Sequence, residues 1–330
     1  MDLFSKCLLA FQQKKRLVAP LLGYPGLQLT KYDKITVQSQ HLAHYETIKA
    51  LFHSFKPDIL FPLMDLSLEV NALGKPGAFH LPAPSYPIND DIDQDNLHLL
   101  HKQNILADTR LKEYLQTLHL ITRNLAQGAD ICAYCSAPFT LAGQILGLDN
   151  ISLKILLEPD FIHELLQICT DQLAIFVKEM IDTGISAICF LDPTAGLISP
   201  SQTAEFALGY LQKLITLCRK DNIDAIIHIC GNTTQIIPLL AQTNASALSL
   251  DSPATGIDLP EIVKHIPQEM ILLGNINPTG KILTGTPEEV KNEVTQLLSQ
   301  MQYHPNFILS TGCDLPQNTP LSNIDAFFSF

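Results

Sequence analysis

The stretch AIIHICG, residues 225–231, decides the fold prediction for this chain. Its apolar residues follow one another without alternation, which is typical of a strand buried on both faces of a parallel sheet. Residues i and i+2 of a strand point to the same side, so His228 and Cys230 are expected side by side at its end. Gly231 then lets the backbone turn away. The stretch therefore predicts a buried parallel strand that ends in two metal-ligand side chains.

Seven other short apolar segments have the same character, and most of the eight precede a stretch with helical character. Alternating strands and helices predict an α/β fold, and eight of them favour a single (β/α)8 TIM barrel over an open doubly wound sheet. The open sheet stays an alternative, because sequence alone does not show closure. We expect one domain over residues 1–330. The predicted strands are Val18–Leu22, Ile59–Leu63, Ile131–Tyr134, Ala187–Leu191, Ala225–Ile229, Ala247–Leu250, Met270–Leu273 and Phe307–Leu309.

Local signals predict several of the helices. Ser199–Gln202 and Thr286–Glu289 each combine a capping hydroxyl, a proline in the first turn and a Gln or Glu three residues after the cap. Apolar side chains after Asp160 repeat at helical spacing, and Gly184 marks the exit of that helix. The first apolar residues of the chain predict an N-terminal helical extension. The prolines and glycines of Asn71–Asp90 predict an insertion after the second strand.

The composition narrows the class of protein. The chain of 330 residues is 46% hydrophobic, enough for a large core, and its formal net charge is −12. That charge argues against a nucleic-acid partner, which needs a basic surface. No apolar run of about 18 residues predicts a membrane span, and Met1–Lys6 lack a signal-peptide pattern. The 8 cysteines lack the clustered spacing of secreted domains. We expect a cytoplasmic protein, as a monomer or a homodimer.

Polar side chains follow the ends of the predicted strands, where TIM barrels carry their working residues. The candidates for substrate binding are Tyr24, Asp65, Asp192, Asp251 and Asn275. For Asp65 and Asp192, capping of the following helix is an equally good explanation. Asn275 follows the seventh strand, where barrels commonly bind anions, so it is a candidate for holding an acidic group of the substrate.

Six of the cysteines have simpler explanations than a site. Cys132 and Cys135 are three residues apart in a strand, so they face opposite sides and make a poor redox or metal pair. The other four fall in apolar patterns and are expected in the core: Cys7, Cys169, Cys189 and Cys218.

His228, Cys230 and Cys313 form the predicted metal site. Cys313 lies 83 residues after Cys230, too far for a zinc finger, so a large fold must bring it to the other two. Two thiolates and an imidazole suit zinc better than magnesium or calcium. Three protein ligands with an open fourth position describe a catalytic site, and Asp192 or Asp251 can complete the shell in the resting enzyme.

The charge of this ligand set narrows the chemistry. Zinc with two thiolates and a neutral histidine is formally neutral and a weaker Lewis acid than zinc held by three histidines, so activating water is not its best use. Such a zinc ion is better suited to binding a substrate thiol, because the metal lowers the pKa of the thiol and the sulfur stays electron-rich. The chain has no G-x-G-x-x-G, P-loop or G-x-S-x-G motif. The site therefore predicts zinc-dependent alkyl transfer to a thiol.

A set of motifs over nearly the whole chain resembles the uroporphyrinogen decarboxylase superfamily, and within it the methylcobamide:coenzyme M methyltransferases. The motifs are FPLMDLS (61–67), SAPFTLAG (136–143), DP (192–193) with ISP (198–200), HICGN (228–232), GNINP (274–278), and STGCDLP (310–316) with TP (319–320). The resemblance implies a TIM barrel with a His-x-Cys…Cys zinc site at His228, Cys230 and Cys313. It also implies transfer of a methyl group from a methylcobamide, a methylated corrinoid carried on a partner protein, to the thiol of coenzyme M.

Decarboxylation of tetrapyrrole acetate groups is the main alternative. Uroporphyrinogen decarboxylases hold an octacarboxylate with arginines after the first strand, whereas residues 19–26 contain none. The chain has four arginines, three of them in helical patterns away from the rim, and Cys313 stands where decarboxylases carry a histidine. Eight carboxylates would be poorly compensated here. A third possibility is a family member that binds zinc or a corrinoid without turnover.

Overall fold

The computed structural model describes residues 1–75, 88 and 91–330. Its centre is a curled sheet of seven parallel strands whose order in the sheet is their order in the sequence. Nearly every strand residue is buried, as the continuous apolar runs predict. The strands are β1 (Ile59–Leu60), β2 (Asp130–Ser136), β3 (Ala187–Leu191), β4 (Asp224–Ile229), β5 (Ala247–Leu250), β6 (Ile271–Ile276) and β7 (Phe307–Thr311).

Residues 17–19 lie between the last strand and the first. Val18 forms an isolated parallel bridge with Leu309 of β7, and the N–H of Ala19 donates to the Leu309 carbonyl at 2.8 Å. On the other side, the N–H of Asp58, just before β1, donates to the Val18 carbonyl at 2.8 Å. This short segment therefore takes the place of the first predicted strand, and it is hydrogen-bonded both to β7 and to the residue before β1.

Two of the predicted strands are much shorter in the structure, whereas β2, β6 and β7 run two or three residues beyond their predicted carboxyl ends. The Val18–Leu22 prediction reduces to the single bridge at Val18, and the Ile59–Leu63 prediction reduces to the two residues of β1. Pro20 and Pro62 explain the difference, because a proline has no N–H with which to continue the ladder.

Helices connect the strands and cover the outside of the sheet. Both predicted capping boxes are present, at Ser199 with Gln202 and at Thr286 with Glu289. The helices are α1 (Leu3–Gln12), α2 (Lys34–Ser39), α3 (His41–Phe55), α4 (Leu68–Ala72), α5 (His98–His101), α6 (Thr109–Leu125), α7 (Pro138–Leu146), α8 (Leu148–Leu157), α9 (Pro159–Asp182), α10 (Pro200–Gln202), α11 (Gly209–Lys220), α12 (Ile237–Leu240), α13 (Leu259–Ile262), α14 (Lys281–Thr284), α15 (Pro287–Gln300) and α16 (Leu321–Phe327). A π-helical segment, Thr203–Leu208, joins α10 to α11.

The two faces of the sheet pack into two separate hydrophobic clusters. Cys132 points into the inner cluster and Cys135 into the outer one, which confirms that they face opposite sides. The four cysteines predicted as core residues are buried, and no disulfide is present among the described residues. Successive side chains along each strand therefore alternate between the inside of the curled sheet and the layer under the helices.

Helix α1 lies across the amino-terminal end of the strands. The N–H of Leu3 donates to the Asp224 carboxylate at 2.9 Å, and Lys6 pairs with Asp130 at 2.5 Å. Leu3 and Cys7 are buried in the inner cluster. The predicted insertion, Asn71–Asp90, falls mainly outside the described residues. Within the described part of the chain, no helix combines the length and apolar character that crossing a membrane requires.

Candidate metal centre

The ends of β4 and β7 bring the three predicted ligands together. His228 Nε2 lies 3.3 Å from Cys230 Sγ and 3.6 Å from Cys313 Sγ, and the two sulfurs are 3.5 Å apart. His228 is only 1% exposed, and both cysteines are partly buried. In the described residues this is the one group of three or more His, Cys, Asp or Glu side chains whose ligand atoms converge closely enough for a metal ion.

The spacing of the three ligand atoms fits a tetrahedral zinc ion. Zn–S bonds of about 2.3 Å and Zn–N bonds of about 2.0 Å at tetrahedral angles place two sulfurs about 3.8 Å apart and a sulfur about 3.5 Å from a nitrogen. The observed separations of 3.3–3.6 Å differ from these by a few tenths of an ångström. With one imidazole and two sulfurs, both the geometry and the donor atoms suit zinc.

The ring of His228 is held by its neighbour on β5. Ser249 is the register partner of His228, and its Oγ lies 3.0 Å from His228 Nδ1. A hydroxyl that accepts the Nδ1 proton leaves Nε2 with its lone pair directed at the two sulfurs, which is the tautomer that a metal ligand needs. Ser249 was not among the predicted site residues, because a serine inside an apolar strand carries no signal of its own.

Two loops hold the cysteines in place. The carboxylate of Asp251 accepts hydrogen bonds from the N–H of Gly231 at 2.7 Å and from the N–H of Ser252 at 2.6 Å, which fixes the turn after Cys230. Gly312 passes so close to this turn that a Cβ there would collide with the backbone nitrogen of Ser252. A residue without a side chain before Cys313 is therefore needed for the two loops to approach.

The two thiols influence each other's ionisation. The hydrogen bond from the Cys313 thiol lowers the pKa of Cys230, against the opposing effect of burial. The same hydrogen bond, together with burial, raises the pKa of Cys313. The pair therefore loses its first proton more readily than its second, because the remaining thiol stabilises the first thiolate through a hydrogen bond.

Asp65 and Tyr24 line the same small cavity. Asp65 accepts from the N–H and the hydroxyl of Ser67, at 2.9 and 2.6 Å, and forms a buried ion pair with Arg110. The bonds from Ser67 show that Asp65 stabilises the turn before α4. Its pairing with Arg110 shows that it is also part of a buried ion pair. The expectation that arginines on helices lie away from the rim is wrong for Arg110. Its long side chain reaches Asp65 from α6, which helical periodicity does not reveal. The hydroxyl of Tyr24 donates to the Met64 carbonyl at 2.8 Å.

Asp192, Asp251 and Asn275 are not among the converging ligand atoms. Asp192 is buried and accepts from the Thr140 hydroxyl at 2.8 Å, and it makes no side-chain capping bond to the segment that follows it. The amide of Asn275 donates to the Asp251 carbonyl at 3.0 Å. A role of Asp192 or Asp251 as fourth metal ligand has no support from the arrangement of the described residues, since neither carboxylate is among the converging ligand atoms.

Glu69 is a buried carboxyl that the sequence did not reveal. It accepts from the N–H of Ser136 at 2.8 Å and from the Ser136 hydroxyl at 3.0 Å. Burial raises its pKa to about 7, and the hydrogen bonds from Ser136 only partly oppose that effect. Glu69 lies on the short helix α4, just after the motif that contains Asp65. A glutamate on a helix is normally expected at the surface, so its sequence position did not predict its burial.

Comparison with known proteins places the chain in a family. A family model described as uroporphyrinogen decarboxylase (URO-D) matches residues 34–330. Uroporphyrinogen decarboxylase from Synechococcus sp. (strain CC9605) is 26% identical over 299 residues, covering 86% of this chain and 80% of that protein. The methylcobamide:CoM methyltransferase MtbA from Methanosarcina mazei is 28% identical over 233 residues, covering 69% of this chain and 66% of that protein.

The structural comparison agrees with the sequence comparisons on the fold. A methyltransferase from Methanosarcina mazei superposes with a TM-score of 0.84 and 19% identity, covering 99% of this chain and 97% of that one. At this identity the match establishes a shared fold and not an activity. Decarboxylases and a methyltransferase are similarly near in sequence, so the comparisons do not separate the two reactions. Because the family model spans most of its length, the chain belongs to the uroporphyrinogen decarboxylase (URO-D) family.

Proposed function

We propose that this protein is a zinc-dependent methyltransferase that moves a methyl group from a methylcobamide, carried on a corrinoid protein, to a small thiol such as coenzyme M. The observation that carries the proposal is the convergence of His228 Nε2, Cys230 Sγ and Cys313 Sγ at 3.3–3.6 Å. Similarity to MtbA supports the corrinoid donor and the thiol acceptor.

The chemistry of the ligand set favours a thiol as substrate. Zinc held by His228, Cys230 and Cys313 would supply a Lewis acid that lowers the pKa of a substrate thiol. Ser249 keeps Nε2 of His228 available as a ligand, and Asp251 holds the turn that carries Cys230. In the reaction, the thiol loses its proton, its sulfur forms a bond to the methyl carbon, and the donor keeps the electron pair of the broken carbon–cobalt bond. The chain's task is to hold the two reactants in line.

We also propose the complete architecture and setting expected from the sequence. The fold is a single (β/α)8 barrel, because residues 17–19 hydrogen-bond to β7 and to Asp58 before β1. The protein works in the cytoplasm as a monomer or homodimer and docks a corrinoid protein at the end of the barrel that carries Cys230 and Cys313.

Tetrapyrrole decarboxylation has less support from the arrangement of charges. Arg110, the one arginine beside the site in the described residues, already pairs with Asp65. The cavity at this rim measures about 270 Å³, near the lower end of ordinary ligand pockets and small for a tetrapyrrole with eight carboxylates. A family member that binds zinc or a corrinoid without turnover is distinguished by the experiment below.

The test is to mix zinc-loaded protein with methylcobalamin and a panel of thiols and to follow the absorbance of cob(I)alamin. We expect turnover that a chelator removes and zinc restores. Cys230→Ala and Cys313→Ala are expected to lose bound zinc and activity together. Cys218→Ala, a buried thiol away from the site, serves as the matched control and keeps both. Turnover in zinc-free Cys230→Ala protein would refute the mechanism, and zinc binding without methyl transfer to any thiol would favour the non-catalytic alternative.

A further inference from the structure

Two of the sequence motifs meet beside the end of β4. Thr140 lies on α7 in the motif SAPFTLAG, and Asp192 follows β3 in the motif DP. Both side chains are 1% exposed, and the Thr140 hydroxyl donates to the Asp192 carboxylate at 2.8 Å. The same hydroxyl accepts from the N–H of Thr194 at 3.1 Å. Thr140 therefore fixes the start of the 3₁₀ helix Pro193–Leu197 from a position 52 residues before Asp192 in the sequence.

The Pro193–Leu197 helix contacts the backbone that carries two of the metal ligands. The N–H of Asp192, just before this helix, donates to the His228 carbonyl at 2.9 Å. Gly196 packs so closely that a Cβ on it would lie 3.0 Å from the Cys230 carbonyl oxygen. Because closely packed segments transmit small shifts, a displacement of the Pro193–Leu197 helix would also displace the backbone of His228 and Cys230.

Helix α7 contacts the Pro193–Leu197 helix at a second point. A Cβ on Gly143 would lie 3.0 Å from Cγ2 of Thr194, so the two helices approach closely there. Without the Thr140 hydroxyl, the buried Asp192 carboxylate would lose a donor, and a buried carboxylate without its donors is costly. Since α7 is buried along nearly its whole length, the adjustment is expected in the short Pro193–Leu197 helix.

We propose that Thr140 is a positioning residue for the metal centre, which acts through Asp192 and the Pro193–Leu197 helix on the backbone of His228 and Cys230. The inference rests on the proposed metal site and gives a role in it to the motifs SAPFTLAG and DP. Groups that orient metal ligands by direct contact are worth about 10- to 100-fold in metal affinity. Thr140 acts one contact further away, so we expect an effect of about tenfold.

Variants of Thr140 test the hydroxyl. Thr140→Val keeps the shape of the side chain and is expected to bind zinc about tenfold more weakly than wild type, measured by competition with a chelator of known affinity. Thr140→Ser keeps the hydroxyl and is expected to bind zinc as wild type does. Thr170→Val is the matched control, because Thr170 is also buried and its hydroxyl donates to the Leu166 carbonyl within α9. Wild-type affinity in Thr140→Val, or an equal loss in Thr140→Ser, would overturn the proposal.

Cobalt(II) reports the arrangement of the ligands independently of the stability of the fold. It binds the same donor atoms, and its visible absorption depends on whether they surround it tetrahedrally. We expect the spectrum of cobalt-loaded Thr140→Val to differ from that of wild type, and the spectra of Thr140→Ser and Thr170→Val to match it. A spectrum of Thr140→Val identical to that of wild type would mean that Thr140 only stabilises the fold.

A pair of glycine variants tests the contact with Cys230 and leaves α7 unchanged. Gly196→Ala places a methyl group 3.0 Å from the Cys230 carbonyl oxygen, so the two segments have to move apart. Gly209→Ala, on α11, places its methyl group in open space and is the control. We expect zinc binding about tenfold weaker than wild type in Gly196→Ala, and unchanged in Gly209→Ala. This pair decides the question if Thr140→Val does not fold, and unchanged affinity in Gly196→Ala would contradict the proposal.

These measurements separate the inference from the proposed methyl transfer, because none of them requires turnover. Zinc binding that Cys230→Ala abolishes, but that Thr140→Val and Gly196→Ala leave unchanged, would reject the inference alone. A tenfold loss of affinity in both variants, with no methyl transfer by wild type to any thiol, would support the inference and reject the proposed reaction. A wild-type protein that binds no zinc would reject both.

Discussion

At the scale of the residue, Ser249 gives His228 its orientation. We expect Ser249→Ala to lower zinc affinity about 10- to 100-fold, because the Nδ1 proton of His228 loses its acceptor and the imidazole loses its fixed tautomer. Competition with a zinc chelator of known affinity measures the change. Ser246→Ala is the control. Ser246 directly precedes β5, and its hydroxyl accepts a hydrogen bond from the N–H of Ala225 instead of contacting His228. Equal affinity of Ser249→Ala and wild type would contradict this role.

Glu69 predicts a dependence of stability on pH. Its pKa is raised from 4.5 to about 7 in the folded protein by burial. The folded state therefore holds this proton more tightly than the unfolded state. Its stabilising effect is present below about pH 4.5 and is lost as the pH rises to about 7, at a cost of roughly 3 kcal/mol.

Glu69→Gln removes this titration and keeps the amide oxygen as an acceptor for Ser136. We expect the variant to gain up to about 3 kcal/mol relative to wild type between pH 4.5 and pH 8, measured from urea unfolding curves. Glu179→Gln, on the exposed face of α9, is expected to follow the wild-type curve. Parallel curves for Glu69→Gln and wild type would show that folding does not raise the pKa of this carboxyl.

The residues of the site differ in how far sequence could predict them. His228 and Cys230 were predictable because their i, i+2 spacing at the end of an apolar strand determines that they lie on one side. Cys313 was predictable because it follows another such strand. The contact of Ser249 with His228 and the ion pair of Arg110 with Asp65 join distant segments, and neither spacing nor residue type predicts them.

At the scale of the element, the capping box of α15 makes a separable contribution to stability. The hydroxyl of Thr286 accepts from the N–H of Glu289, whose carboxylate accepts from the N–H of Thr286 in return. Thr286→Ala is expected to lower the free energy of unfolding by about 1 kcal/mol. Chemical denaturation measures it, with the exposed Thr284→Ala as control, expected within about 0.5 kcal/mol of wild type. A loss in Thr284→Ala as large as in Thr286→Ala would refute the capping explanation.

Elements with strong local signals were predicted well, and those governed by backbone geometry were not. The caps at Ser199 and Thr286 follow from residues three positions apart, so sequence identified them. The strands predicted at Val18 and Ile59 extend through Pro20 and Pro62, because a run of apolar residues does not reveal that a proline lacks the N–H needed for the sheet. The π-helical segment Thr203–Leu208 has no sequence signature that periodicity detects.

At the scale of the whole molecule, the order of the strands was the most predictable property. Parallel strands joined by short crossovers of the same hand pair in sequence order in a barrel, so the alternation of apolar segments with helices favours the strand order that the sheet shows. The proximity of His228, Cys230 and Cys313 follows from the same rule. How the rim loops pack did not, because collisions such as that avoided at Gly312 are set by two loops that are remote in the sequence.

Metal binding should stabilise the entire fold, because the ligands come from β4 and from the loop after β7, which β5 and β6 separate in the sheet. An ion that binds only the folded arrangement adds RT ln(1 + [Zn]/Kd), about 2.7 kcal/mol when free zinc is 100 times its Kd. We expect zinc to raise the urea midpoint of the wild type and a chelator to reverse the shift. Cys313→Ala is expected to unfold at the same midpoint with and without zinc. Without Cys313, the remaining ligands His228 and Cys230 lie on a single segment, so an ion bound to them does not link that segment to the loop after β7. A zinc-dependent shift that persists in Cys313→Ala would mean that the ion is bound elsewhere, and the proposed methyl transfer would then have no metal at the proposed site.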